Sequence, residues 1–414
     1  MAAADETCPR ARALLLLPGA ASPTFAALHA AYHAPLAAVL AACAARAASG
    51  LDLAVAVSGL AAPDNDHDHG HDHDHNNYTD DAARRRCQAF DHLQDVLAQL
   101  YRLLATAGAS AGVALDGPGA VDTRVLFVDT AARAHQLGPV LRLADLAPAA
   151  VVYTLDTPAG AALLAAFQRS SSSNDKINNM KIPVEKLVCA ANTPLPGAAV
   201  ALSRAHTTPH YSVAVGGTFD HLHTGHKLLL TATLLALDPA VTTGPRRVVT
   251  IGITGDAMLA NKKFREFLEP WEARRRGVCA FLQAIIEPAA SSAWAVTEEC
   301  TDGTVVVVVV VVGAGGALEL RFVALADALG PPATDARITA LVVSGETRAG
   351  GQAVNAARAA AGLAALEAFE VAVLDAPGSG SNGGKTGAGD GSPDGPFAGK
   401  ISSTELRRRQ AASL

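Results

Sequence analysis

Aromatic residues are scarce in this chain, at 4% of 414 positions. Its core must therefore rest on aliphatic side chains and alanine rather than on rings. Cysteine is sparse too: Cys8, Cys43, Cys87, Cys189, Cys279 and Cys300 are scattered, and no Cys-x-x-Cys pair occurs. That excludes a disulfide-stapled secreted scaffold and a zinc-ribbon site, and a reducing, cytoplasmic compartment is expected. Positive charge is not in excess. With 33 basic and 39 acidic side chains the formal charge is −6, which argues against a broad electrostatic grip on nucleic acid. The sequence shows no run of about 20 firmly apolar residues, so no membrane span is expected. The leucines of Ala13–Leu17 end at Pro18-Gly19, which suits a buried first strand better than a signal peptide.

What is present is a long, half-hydrophobic chain, enough for two or three domains. The first half is alanine-rich. Strands are expected at 13–17 and 123–129, and amphipathic helices at 24–48 and 87–106, where Leu93, Val96, Leu97, Leu100, Leu103 and Leu104 recur at helical spacing. Two polar inserts interrupt this half, near 62–80 and 169–180. The first carries Asp66-His67-Asp68-His69-Gly70-His71-Asp72-His73-Asp74-His75, whose imidazoles and carboxylates suit zinc or nickel; the plainer reading is a solvated linker. The second is too poor in apolar surface to order itself. An alanine-rich α/β N-terminal domain over 1–205 is therefore expected.

From about residue 211 strand-like and helical runs alternate, which implies a parallel sheet with crossover helices. Strands at 212–216, 247–254, 319–324, 339–344 and 369–374, with helices at 225–237, 270–286 and 351–366, predict a doubly wound, five-stranded, Rossmann-like domain over 206–414. Its ligand is expected at the carboxyl ends of the strands. Inserts are expected near 289–317 and 376–399. The eight valines 305–312 suit a buried strand, an aggregation-prone edge or a low-complexity insertion, the last being the simplest account.

Chemistry concentrates at Gly216-Gly217-Thr218-Phe219-Asp220-His221-Leu222-His223-Thr224-Gly225-His226. Two glycines ending an apolar strand let backbone N–H groups approach a phosphate. His223 and His226, three apart at a helix start, can face one place, and the helix N-terminus favours anionic oxygens. Gly225 between them removes bulk where a nucleotide could lie. A second signal, Lys400-Ile401-Ser402-Ser403-Thr404-Glu405-Leu406-Arg407, reads as a helix cap followed by a basic face. Its hydroxyls and free N–H groups would also cradle a triphosphate. Gly380-Ser381-Asn382-Gly383-Gly384-Lys385-Thr386 is not a P-loop, because Ser379 stands where glycine is required and no apolar helix follows.

His223-Thr224-Gly225-His226 and Ile401-Ser402-Ser403-Thr404-Glu405-Leu406-Arg407 match the HxGH and ISSTxxR elements of a nucleotidyltransferase superfamily. Within it, residues 211–408 resemble the eukaryotic phosphopantetheine adenylyltransferase family, with further likeness at Met258–Phe264, Glu269–Arg274 and Val342–Gly351. The resemblance implies transfer of AMP from ATP to 4′-phosphopantetheine, with Mg²⁺ accompanying ATP. It implies an ATP site made of Gly216, Gly217, Thr218, Phe219, His223, His226, Gly345, Arg348, Ser402, Ser403, Thr404 and Arg407. Thr218, Lys262 and Arg274 would meet the acceptor, and His226, His223 and Lys262 would carry the catalysis; Lys263 is an alternative to Lys262. Three departures stand out: His221 replaces a usual arginine, Ala328-Leu329-Gly330-Pro331-Pro332 replaces Asp-Pro-x-Gly-Pro, and 289–317 is inserted. A cytidylyltransferase of the same superfamily is the nearest alternative. A metal-buffering or scaffold protein built on the His/Asp run is a more distant one.

Overall fold

The computed structural model describes residues 12–412 apart from 20–23, 47, 49, 61–83, 118, 132–137, 172–181, 190–198, 239–245, 290–292, 302–303, 314–315 and 375–401. The His/Asp run, most of the second polar insert, the 376–399 insert, the rejected P-loop stretch and Ile401 therefore lie outside the described residues.

Each half of the chain forms a sheet. In the first half six strands run in parallel in the order β4-β3-β2-β1-β5-β6. They are β1 (Ala13–Leu17), β2 (Gly50–Val57), β3 (Asp122–Asp129), β4 (Val140–Leu141), β5 (Val151–Leu155) and β6 (Val184–Leu187). All five residues of β1 are buried, as expected of a central parallel strand covered on both faces. Helices α1 (Phe25–Ala45), α2 (Phe90–Ala111) and α3 (Pro158–Ser171) accompany this sheet. By length and composition alone α1 could cross a bilayer, a test the core helix of a water-soluble protein also passes. Here Leu28, Tyr32, Leu36, Val39, Leu40 and Cys43 join the protein's own core.

The second half contains β7 (Ser212–Gly217), β8 (Arg247–Thr254), β9 (Ala293–Thr301), β10 (Thr304–Gly313), β11 (Gly316–Leu325), β12 (Ala340–Ser344) and β13 (Glu367–Val371). Its helices are α4 (Thr224–Ala236), α5 (Trp271–Ile286), α6 (Arg348–Ala360) and α7 (Ser403–Ala412). The strand order is β13-β12-β7-β8-β11-β10-β9. The five strands expected from the sequence are the parallel part, and the order turns at β7, so the loop after β7 opens on a switch point.

The sheet has seven strands, not five. The 289–317 segment supplies β9 and β10, which extend it antiparallel beyond β11. The valine run is an internal strand flanked on both sides, with Val307, Val309 and Val311 buried, and β9 forms the edge. β-Branched side chains fit this pleated surface well, and pairing on both sides satisfies the backbone that a free edge would expose. Helix α6 stops at Ala360 rather than 366, where Gly362 takes a left-handed turn. One continuous hydrophobic core runs through both halves, and α2 packs against both α1 and α4.

Candidate functional site

A cleft of about 700 Å³ opens at the carboxyl ends of β7, β8, β12 and β13. Gly216, Gly217, Thr218, His223, Gly225 and His226 line one side, and Ser402, Ser403, Thr404 and Arg407 line another. The two motifs, almost 180 residues apart, thus face one volume.

The strand-to-helix turn explains how the histidines are set. Phe219 and His221 both adopt left-handed backbone (φ 52° and 46°), which reverses the chain over a few residues. His223 caps α4, its Nδ1 accepting from the Gly225 N–H at 3.2 Å. A Cβ at residue 225 would lie 3.1 Å from His223 Cε1, so the glycine makes room for the capping imidazole as well as lining the cleft. The His223 and His226 rings stack at 3.9 Å, with Phe219 tilted against His226 at 5.3 Å. His226 Nδ1 is buried and, among the described residues, has no hydrogen-bond partner.

Burial, helped by the nearby His221, pushes the His226 pKa down to about 3. The ring is thus a neutral hydrogen-bonding group. An NMR titration of the imidazole is expected to show no protonation near the ordinary histidine value of about 6.5. The folded state holds the proton less readily than the unfolded chain, so His226 contributes stability that is present above that value. The contribution is lost as pH falls from there toward 3. A ring that titrates normally would contradict this.

The C-terminal element is bolted to the same turn. Ser403 Oγ donates to the Asp220 carbonyl at 2.7 Å, and Ser402 Oγ caps the Glu405 N–H of α7 at 3.4 Å. Arg407, 2% exposed, pairs with the carboxylate of Asp220, which is 0% exposed. Its Nε donates to Lys263 O at 3.1 Å and its Nη2 to Thr404 Oγ1 at 3.2 Å. Arg407 therefore lines the cleft while being held by protein oxygens. His221, where an arginine was expected, donates from Nε2 to Phe267 O at 2.7 Å, and its backbone N–H meets Glu269 Oε2 at 2.7 Å.

Other expected site residues lie elsewhere. Arg274 is 1% exposed and lies beneath the turn, outside the cleft lining. It donates to Thr218 O (2.7 Å), Thr254 O (2.8 Å), Glu269 O (2.9 Å) and Asp256 Oδ1 (2.6 Å). With its guanidinium engaged in this way it orders Thr218 instead of meeting the acceptor. Lys262 is exposed and lines the cleft, whereas the backbone of Lys263 holds Arg407. Phe219, Gly345 and Arg348 are not among the lining residues; Phe219 is buried against His226, and Arg348 forms a surface pair with Glu370.

Sequence reasoning did not single out Thr250, Gly252 and Thr254 of β8, or Thr347 after β12, all of which line the cleft. Their signal was position: Gly252 and Thr254 lie toward the carboxyl end of β8, Thr250 at its middle and Thr347 just beyond β12. Asp327 and Glu346 are the carboxylates lining the cleft. Among the described residues no group of three or more His, Cys, Asp or Glu could hold a metal ion.

A family described as a domain of unknown function (DUF8446) matches residues 1–188. The chain is 32% identical over 195 residues to a phosphopantetheine adenylyltransferase of Saccharomyces cerevisiae, covering 47% of each chain. It is 30% identical over 162 residues to the protein of that name in Pyrococcus abyssi, covering 39% of this chain and 78% of that one. An uncharacterized protein of Schizosaccharomyces pombe is 35% identical over 161 residues, 39% of each chain. The matches span less than half the length of the two fungal relatives.

Proposed function

Because this chain belongs to the phosphopantetheine adenylyltransferase family, we propose that it transfers AMP from MgATP to 4′-phosphopantetheine, giving dephospho-CoA and pyrophosphate in the cytoplasm. The single observation that carries this reading is the shared cleft. The stacked His223 and His226 face the Ser402–Thr404 helix start across one volume.

The chemistry needs no protein nucleophile. The acceptor's terminal phosphate is already an anion; its oxygen bonds to the α-phosphorus of ATP as the bond to the β-phosphate oxygen breaks, and pyrophosphate leaves with that electron pair. The protein must bring two polyanions together and meet charge where it grows. In this reading His226 donates to the α-phosphate at the pentavalent stage, with His223 next along the chain. Lys262 and Thr218 hold the acceptor phosphate. The hydroxyls of Ser402 and Thr404 receive the leaving pyrophosphate at the start of α7, with Ser403 and Arg407 fixing that helix against Asp220. Arg274 keeps the Thr218 turn in place.

Pyrophosphate release by the purified full-length protein tests this. ATP with 4′-phosphopantetheine is the expected productive pair. Release with CTP and choline phosphate instead of that pair would establish the cytidylyl alternative and overturn the reading; release only with ATP and nicotinamide mononucleotide would overturn the choice of acceptor.

A further inference from the structure

The first half of the chain grips the second beside the cleft. Lys227 follows His226 directly, about 100° around α4, and is 3% exposed. Its ammonium donates to Asp122 Oδ1 at 2.5 Å and to Thr123 O at 3.1 Å, both at the start of β3. Asp122 is in turn held by Arg12 at 2.7 Å, and Arg12 and Arg124 converge on Asp52. One turn earlier on α4, the Thr224 N–H donates to Asp116 Oδ1 at 3.1 Å, from the loop between α2 and β3. On the cleft's far wall the Ala372 N–H donates to Gln94 Oε1 of α2 at 3.2 Å.

We infer that Asp116 and Asp122 are positioning residues that set the paired-histidine helix, through the Thr224 amide and Lys227, so that the first half of the chain tunes transfer in the second. The inference rests on the proposed role of His223 and His226. An ordinary amphipathic helix would bury leucine at position 227. A buried ammonium is tolerated only with its partner, and such a pair fixes register more than it adds stability. Two anchors, at Thr224 and at Lys227, bracket His226 and fix both the rotation and the slide of the helix. A shift of 1 Å at a reacting centre costs on the order of 10²-fold in rate, so this restraint has catalytic weight.

The test uses the full-length protein and four variants: Lys227→Met, Lys227→Arg, Asp122→Asn and Asp116→Ala. Turnover is measured per folded molecule, with KM for 4′-phosphopantetheine, alongside the ¹H–¹³C signals of the His223 and His226 rings without substrate. Lys227→Met is expected to lower kcat about tenfold or more while KM moves less than about twofold, and Lys227→Arg to recover most of the loss. The stacked ring signals are expected to shift in Lys227→Met and in Asp116→Ala. A contact that only glues the halves together would lower the unfolding temperature and leave kcat per folded molecule and the ring signals unchanged, and that result overturns the inference. Should Lys227→Met fail to fold, Asp116→Ala decides by the same criteria. The ring signals keep the two claims apart. If the wild type makes no dephospho-CoA, the proposed reaction fails, while shifted rings still support the positioning and unmoved rings reject it.

Discussion

Replacing His226 by alanine is expected to lower pyrophosphate release by about 10²-fold or more, with a much smaller change in KM for ATP. The asymmetry follows from where the ring is and what it is. Stacking on His223 and contact with Phe219 fix it before any ligand arrives, so no reorganisation is needed during the reaction. Burial keeps it neutral, so in the proposed reaction it draws ATP weakly by charge but donates as negative charge grows at the α-phosphorus. In the proposed reaction ATP binding is spread over Ser402, Ser403, Thr404 and the glycine turn, all lining the cleft, so the expected loss of affinity is modest. Steady-state kinetics at saturating 4′-phosphopantetheine read both constants. A variant with unaltered kcat would remove His226 from the mechanism.

Arg407→Met is expected to destabilise the fold by about 3–5 kcal/mol, because it strands a carboxylate that has no access to water. Asp220 Oδ1 also accepts the Glu269 N–H at 2.9 Å, and that bond cannot neutralise the charge left on Oδ2. His221 Nε2 lies 3.8 Å from Asp220 Oδ1 but gives its proton to Phe267 O. Adding Asp220→Asn to Arg407→Met should restore much of the loss, since an amide oxygen keeps the Glu269 contact without a buried charge. Urea denaturation of the two single variants and the double variant measures the coupling. A loss below about 1 kcal/mol for Arg407→Met would mean that the pair is hydrated and does not clamp α7 to the turn.

The parallel strands of the second half were readable because short strand-like runs alternate with helical ones between turns, and β7 ends in two glycines. Eight identical valines carry no such information. They lack a period that would assign faces, and only pairing from Val306 opposite Val323 to Gly313 opposite Gly316 placed them inside the sheet. The first half yielded two strands to sequence reasoning and six to the fold, since alanine gives little contrast between buried and exposed positions. Arginines near the motifs were assigned by resemblance to ATP and its acceptor. Arg274 became a support for Thr218 and Arg407 a clamp on Asp220, because their partners are backbone and carboxylate oxygens that only folding brings within reach.

Local order along the chain determined which segments are strands and helices, and that two histidines and a serine cluster each stand at a helix start. Those properties depend on neighbours a few residues away, where period and capping chemistry operate. Tertiary structure alone decided that the two starts share a cleft and that the first half anchors the histidine helix. Asp116 meets Thr224 and Asp122 meets Lys227 across more than 100 residues of chain, and Gln94 meets Ala372 across 278. Contacts at such separations leave no local periodicity, because side-chain chemistry is fixed by the sequence while proximity is fixed by the packing of two sheets around one core.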